Sequence, residues 1–277
     1  MAEHACVLIA GAGDVGMRLA HLRAGLGDEV VTMRRRDGER SQGIRPVRAD
    51  LLTGGGFAQL PQRPDALVFC ATPDERSEAA YRALFVDGLR RLLDRIEPLR
   101  VLFTSSTAVY AQDAGEWVDE ISPALADSFN GRALRAAEQE CWVHPRGQAL
   151  RLSGLYGPGR DAFATHAREA TAAGRRRWSN RIHLDDAASA LSHLLGHAPD
   201  EALYIGSDNQ PTLEYEMADW LRQREGLPAL GAPEEPVPSG RRVSSARLQA
   251  LGWSPAHPDY RSGYPRAGTA RTVSSSP

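Results

Sequence analysis

Through the first half of the chain, short unbroken apolar runs alternate with stretches whose apolar positions recur at helical spacing. Residues 6–10 (CVLIA), 29–33 (EVVTM), 66–70 (ALVFC), 100–104 (RVLFT) and 148–152 (QALRL) read as strands, with a weaker one at 45–48 (RPVR). Between them, residues 14–26, 73–96 and 127–143 carry helical patterns. The strand runs lack polar alternation, as expected for strands covered on both faces. Strands separated by helical segments predict right-handed βαβ units around a parallel sheet, with residues 148–152 closing the series.

Beyond Leu152 the pattern loosens. Residues 154–159 are turn-rich and 162–173 look helical. Asp185 or Asp186 can cap a helix running to about residue 195, and Thr212 can cap another to residue 224, with a short strand at 202–205 between them. Residues 231–240, rich in Pro, Gly and Glu, mark a loop, and residues from 267 onward are small and polar. The expected fold is α/β: a Rossmann-type doubly wound parallel sheet with a smaller C-terminal substrate lobe. Residues 1–152 are expected to form the sheet domain, 153–266 a lobe interleaved with it, and 267–277 a flexible tail.

Composition narrows the partners. The 33 basic and 35 acidic residues nearly cancel, and aromatics make up only 6 % of the 277 residues. Neither a basic footprint nor a stacking platform for nucleic acid follows. No stretch reaches the ~20 apolar residues of a membrane span. Cys6, Cys70 and Cys141 stand far apart without a CxxC or Cys/His spacing, which points to reduced, buried thiols and to no metal. A cytoplasmic protein with a small-molecule substrate, no nucleic acid and no membrane is expected.

The strongest chemical signal is Gly11-Ala-Gly13-Asp14-Val15-Gly16, placed between the first strand and first helix. One glycine permits the tight turn, one lets backbone amides approach a pyrophosphate, and one lets helix and strand pack. The helix N-terminus then offers free N–H groups to phosphate. The second strand runs into Arg34-Arg35-Arg36 instead of an acid. A guanidinium can form bidentate bonds to a 2′-phosphate, whereas a carboxylate would repel it. NADP(H) is therefore expected, with NAD(H) as the alternative and a solvated basic loop as the bland reading of the arginines.

Further segments resemble the extended short-chain dehydrogenase/reductase superfamily, the NAD-dependent epimerase/dehydratase-like group. Thr104–Tyr110 (TSSTAVY) is similar to that family's SSxxVY strand end, Glu116–Pro123 to its acidic loop, Arg151–Arg160 (RLSGLYGPGR) to its R…YGPGR turn, and Asn180–Asp186 (NRIHLDD) to its (V/I)HVDD segment. The resemblance runs from Val7 to about Tyr264. It implies that Asp50 and Leu51 lie near adenine, that Cys70, Ala71 and Thr72 lie beside the cofactor ribose, and that relatives often dimerise, so a monomer or homodimer is expected.

The family's YxxxK pair is missing. With Glu138 as the register, Asn130 stands at the tyrosine position and Leu134 at the lysine position, and residues 127–143 hold neither residue type. Lysine normally lowers the phenol pKa from its reference near ~10. The resemblance leaves Ser106 to polarise a substrate oxygen, and Tyr110, Asn130 or water for proton transfer. Arg160, Arg177, Arg181 and His183 are candidates for binding substrate, such as a nucleotide sugar, although each also reads as a solvated or structural side chain. Two classes of function remain: a reductase, dehydrogenase or epimerase acting on a small polar carbonyl or hydroxyl, and a non-catalytic NADP(H) sensor or scaffold.

Overall fold

The computed structural model describes residues 4–38, 40–197, 200–234 and 237–264. The expected tail, residues 267–277, lies outside the described residues. Seven parallel strands form the central sheet: β1 (Cys6–Ala10), β2 (Glu29–Arg34), β3 (Ile44–Arg48), β4 (Ala66–Phe69), β5 (Val101–Ser106), a strand at Gly147–Leu152 and another at Leu203–Gly206. Between the last two and β5 the chain also makes β6 (Ala114–Val118), so those sheet strands are β7 (Gly147–Leu152) and, after three short strands, β11 (Leu203–Gly206). The spatial order is β11-β7-β5-β4-β1-β2-β3. The order reverses beside β1, and in open parallel sheets the crevice at such a switch point, beyond the strands' C-terminal ends, is where ligands bind.

The apolar runs form strands because both sheet faces are covered. Leu8, Ile9, Leu67, Val68, Leu102 and Phe103 are fully buried, and they divide between two cores on opposite faces. On one face lie α1 (Asp14–Gly25) and α6 (Leu184–His197). On the other lie α2 (Glu78–Arg82), α3 (Leu89–Leu93) and α4 (Phe129–Val143). Here α6 precedes β11, which pairs in parallel with β7. The sheet therefore continues past Leu152, and residues 184–206 belong to its layers.

The helix expected over residues 73–96 is shorter and irregular. It starts at Glu78, where the Ser77 hydroxyl accepts from Ala80 N at 3.2 Å, and passes through a π-helical stretch at Ala83–Gly88 before ending at Leu93. The residues between Pro73 and Ser77 are not helical.

Residues 154–183 and 212–264 supply the small lobe. Its pieces are β8 (Gly154–Tyr156), α5 (Ala162–Glu169), β9 (Trp178–Ser179), β10 (Arg181–His183), β12 (Thr212–Leu213), α7 (Glu214–Arg224), β13 (Gly240–Val243), α8 (Ala246–Ala250) and α9 (Tyr260–Gly263). They make three two-stranded pairings, β10 with β8, β12 with β9 and β13 with β6. Thr212 does not cap α7. It pairs with Ser179 in β12, and the helix begins two residues later without a side-chain cap. Neither acid at the start of α6 stands free for capping. Asp185 accepts from Arg18 at 2.7 Å, and Asp186 accepts the amides of Ala256 and His257 at 2.7 and 3.0 Å. No helix among the described residues is long and apolar enough to cross a membrane.

Candidate functional site

The glycine-rich turn is built as its spacing requires. Gly11 has φ +104°, and a Cβ there would lie 2.3 Å from Ala71 N. A Cβ on Gly16 would lie 2.1 Å from the Gly11 carbonyl oxygen, so α1 packs directly on the turn. Gly13 differs: a Cβ would meet nothing within 4 Å. It is also the N-cap of α1, and among the described residues no side chain caps that helix. The first amides of a 12-residue helix thus open onto vacant space. This is the geometry that receives a pyrophosphate, with unpaired N–H groups and the positive end of the helix dipole.

A cleft of about 1000 Å³ leads from this turn past Met33–Arg36, Ala49–Leu52 and Cys70–Glu75. Gly11, Gly13, Arg34, Arg35, Asp50, Leu51, Cys70, Ala71 and Thr72 all lie along it. Asp50 is held in its own turn, accepting from Leu52 N at 2.9 Å and Thr53 Oγ1 at 3.2 Å. Arg34 donates to the Asp37 carbonyl at 2.6 Å. Arg35 forks onto Asp74 with two bonds of 2.5 and 2.6 Å, and this pair, in which the guanidinium holds the carboxyl below its usual range, spans the cleft mouth. Both side chains are more than half exposed, so the pair is screened by solvent and adds little to stability.

The same turn borders a second cavity of about 300 Å³, and Gly13, Cys70, Ala71 and Thr72 are common to both. Asp14 and Val15 line the second cavity, together with Thr104, Ser106, Asn130, Leu134, Ser153 and Arg160. Ser106 ends β5, and its Oγ accepts from Ala108 N at 3.2 Å, which leaves the hydroxyl proton free to donate. Asn130 and Leu134 sit one turn apart on α4 and face this cavity. Arg160 reaches back to Asp14 Oδ2 at 3.0 Å, tying the lobe to the glycine-rich turn.

Four sequence candidates lie elsewhere. Tyr110 is buried; its hydroxyl donates to the Asp119 carbonyl at 2.6 Å and accepts from Arg151 at 2.9 Å. It is not placed to act as an acid–base group, because burial also pushes its phenol pKa up and it borders neither cavity. Arg177 pairs with Asp113 at 3.0 Å. Arg181 donates to Ser179 Oγ at 3.0 Å with its guanidinium 4.7 Å from the Phe163 ring centroid. His183 is packed between Tyr156 and His257, and burial followed by the His257 charge holds its pKa below the ordinary range. None of these three lines the cavities.

His183, Asp186 and His257 bring ligand atoms within 4.8 Å of one another. The Asp186 carboxylate already receives two backbone amides there, so its burial is explained by the loop it holds. Cys70 and Cys141 are reduced, and burial raises their thiols to about 11 and about 12. Neither is an activated nucleophile.

Sequence reasoning missed Tyr81, Phe85 and Ser153 as cavity residues. The signal for Tyr81 was present. Tyr81, Leu84, Phe85, Gly88, Leu89 and Leu92 form one helical face toward the sheet, and Tyr81 heads that stripe at the strands' C-terminal end.

No curated protein matches the sequence significantly. Among solved structures, a Methylobacillus flagellatus protein assigned provisionally as an NAD-dependent epimerase/dehydratase is 36 % identical, with a TM-score of 0.82 over 94 % of this chain and 96 % of that one. A conserved protein of unknown function from Silicibacter pomeroyi DSS is 25 % identical, with a TM-score of 0.69 over 94 % and 96 %. MoeE5, solved with UDP-glucose and NAD, shares the fold at 21 % identity and a TM-score of 0.76, over 93 % and 95 %. The family model described as "NAD dependent epimerase/dehydratase family" matches residues 7–206, spanning the glycine-rich turn, Ser106 and α4. With the turn, the switch-point crevice and this match in agreement, the chain belongs to the NAD dependent epimerase/dehydratase family.

Proposed function

We propose that this protein is an NADP(H)-dependent oxidoreductase acting on a carbonyl or hydroxyl of a small polar molecule. One observation carries the reading: the open, uncapped turn at Gly13 borders both a dinucleotide-sized cleft and a second cavity lined by Ser106 and Asn130. A nicotinamide dinucleotide would be held by Gly11, Gly13 and the first turn of α1 at its pyrophosphate, by Asp50 and Leu51 at adenine, and by Thr72 near the ribose. When bound, it supplies or removes a hydride at the substrate carbon. Ser106 would orient the substrate oxygen by donating its hydroxyl proton, and Asn130 would hydrogen-bond the substrate without titrating. Arg160 suits an anionic or hydroxyl-rich substrate end, and the MoeE5 complex makes a nucleotide sugar a reasonable class.

The preference for NADP(H) rests on Arg34 and Arg35 along the cleft. Arg35 is already paired with Asp74, so a 2′-phosphate must displace a carboxylate from it. A bidentate phosphate contact can replace an exposed pair of that kind at small cost. Calorimetric titration with NADPH and NADH tests the reading: tighter binding of NADPH is expected, and no binding of either nucleotide would reject it.

A second reading, a non-catalytic NADP(H) sensor or scaffold, is favoured by Leu134. The chain contains no lysine at all, its 33 basic residues all being arginine. The electrostatic role of the family's lysine thus falls to no lysine in the protein. Since general acid–base catalysis contributes ~10²–10⁴-fold, NADPH binding without turnover of any carbonyl would favour this reading.

A further inference from the structure

Carbonyl reduction needs a proton as well as a hydride, and the acid–base tyrosine expected on α4 is replaced by Asn130. We propose that Tyr81, on the helix across the cavity, is the group that exchanges this proton with the substrate oxygen. The inference rests on the reading of the cleft as an oxidoreductase site.

Elimination among the seven tyrosines leads to it. Tyr110 is committed to Asp119 and Arg151. The Tyr156 hydroxyl donates to the Asp259 carbonyl at 3.0 Å. Tyr204, Tyr260 and Tyr264 are buried in the cores away from the cavity. Tyr215 bonds its neighbour Glu216 at 3.3 Å. Tyr81 alone among them lines the cavity that contains Ser106, Thr104 and Asn130. Among the described residues, no partner engages its hydroxyl.

The ring is also held in place. Phe85, one turn further along the helix, meets it edge-on at 5.4 Å and 78°. Phe129, the residue before Asn130, meets it at 5.3 Å and 89°. These T-shaped contacts, a favoured arrangement of aromatic pairs, hold the ring between its own helix and the first residue of α4. The phenol is thereby tied to the same helix end that presents Asn130.

The balanced step is short. Reduction needs a hydride at the carbonyl carbon, which a nicotinamide dinucleotide held by Gly11, Gly13 and the first turn of α1 would supply when bound. As the carbonyl π pair moves onto oxygen, the Tyr81 O–H bond breaks and a substrate O–H bond forms. Ser106 donates a hydrogen bond to the same oxygen, and water returns a proton to the phenolate. Oxidation of an alcohol runs the sequence backward, with Tyr81 accepting the proton.

The test has two arms. In the first, the cofactor-free protein is treated with tetranitromethane and nitrated tyrosines are mapped by peptide mass. Tyr81 and Tyr215 are expected to be modified, and saturating NADPH should protect Tyr81 alone. In the second, NADPH oxidation is followed with butane-2,3-dione, D-glyceraldehyde and a UDP-4-keto-hexose. Tyr81→Phe should lower kcat by ~10²–10⁴-fold while leaving NADPH affinity by calorimetry unchanged, and Tyr215→Phe should change neither. Bound NADPH that leaves Tyr81 unprotected, or a Tyr81→Phe protein with wild-type kcat, overturns the role of Tyr81 and leaves the oxidoreductase reading standing. NADPH binding without turnover of any of the three carbonyls overturns the inference in favour of a sensor. Absence of NADPH binding removes the oxidoreductase reading itself, and the inference with it.

Discussion

Glu138 and Arg151 meet in a buried fork, with Arg151 Nη2 2.7 Å from Oε2 and Nε 2.8 Å from Oε1. Ser105 adds a hydrogen bond to Oε1 at 2.6 Å, and the far side of the guanidinium reaches Tyr110. The network ties α4, β5 and β7 together directly beneath the cavity. It also accounts for two residues of the family-like segments, Glu138, which sets the register on α4, and Arg151, which opens the R…YGPGR-like turn. Both are structural. Side-chain exposures of 1 % and 5 % leave neither charge a route to water. Removing one partner strands the other, at a cost of ~3–5 kcal/mol. Glu138→Ala should therefore lower the urea midpoint sharply, and Glu138→Ala with Arg151→Met should recover part of the loss. A single variant as stable as the wild type would show that the fork does not hold the layers together.

Gly13 and Gly16 stand three residues apart and should respond oppositely to the same change. Gly13 has φ −91°, which alanine adopts freely, and its Cβ would occupy open space. Gly13→Ala should leave stability within ~0.5 kcal/mol and weaken NADPH binding about tenfold or more, equivalent to ~1.4 kcal/mol. Gly16→Ala drives a methyl into the Gly11 carbonyl and should destabilise the fold by ~1–3 kcal/mol. Thermal melts paired with calorimetry separate the two effects. Equal loss of stability in both variants would sink the assignment of Gly13 to the ligand.

The parallel sheet and its glycine-rich turn were legible because local signals carried them. Unbroken apolar runs such as CVLIA have no reason to exist except in a strand covered on both faces, and the turn glycines follow immediately after one. The lobe was less legible because its strands are two to four residues long and pair across large separations. Thr212 finds Ser179, and Arg242 finds Trp117, pairings that no local periodicity encodes. The arginines divided for a related reason. Arg160 and Arg181 look alike in sequence, yet one borders the cavity and the other stacks on Phe163. Tyr81 escaped notice because the expected phenol position lay on α4, while the packing that turns Tyr81 toward the cavity comes from Phe129 on a different helix.

Asp74 is the competitor for any phosphate approaching Arg35. Its carboxyl is held below the ordinary range chiefly by the hydrogen bond from Arg35, so it is charged throughout the neutral range and repels a 2′-phosphate. Asp74→Asn should tighten NADPH binding several-fold and leave NADH nearly unchanged. Arg35→Ala should weaken NADPH selectively. Because the pair is exposed, both differences should shrink between 50 and 500 mM salt, as the Debye length contracts from roughly 14 to 4 Å. Identical NADPH and NADH affinities across these variants would remove the arginines from cofactor choice.

Asp208 gives the fold a pH dependence of definite sign. It is buried, its Oδ1 accepts from Gln210 N at 3.0 Å, and its Oδ2 has no partner among the described residues. Burial raises its pKa from 3.8 to about 7, and the nearby Arg181 guanidinium only partly offsets that. The folded protein thus favours the neutral acid relative to the unfolded chain. This contribution is intact below the unfolded value and is lost as pH rises toward the folded one. Between roughly pH 4 and pH 7 the penalty grows to at most ~4 kcal/mol, after which both states are ionised and it levels off. Asp208→Asn keeps the Oδ1 acceptor and removes the charge. It should be nearly neutral in urea unfolding at pH 4 and clearly stabilising at pH 8. His183, whose pKa burial depresses, acts in the opposite direction and costs stability only as pH falls below about 6.5. A stability gain for Asp208→Asn that did not vary between pH 4 and pH 8 would rule out a buried, reluctant carboxylate as its source.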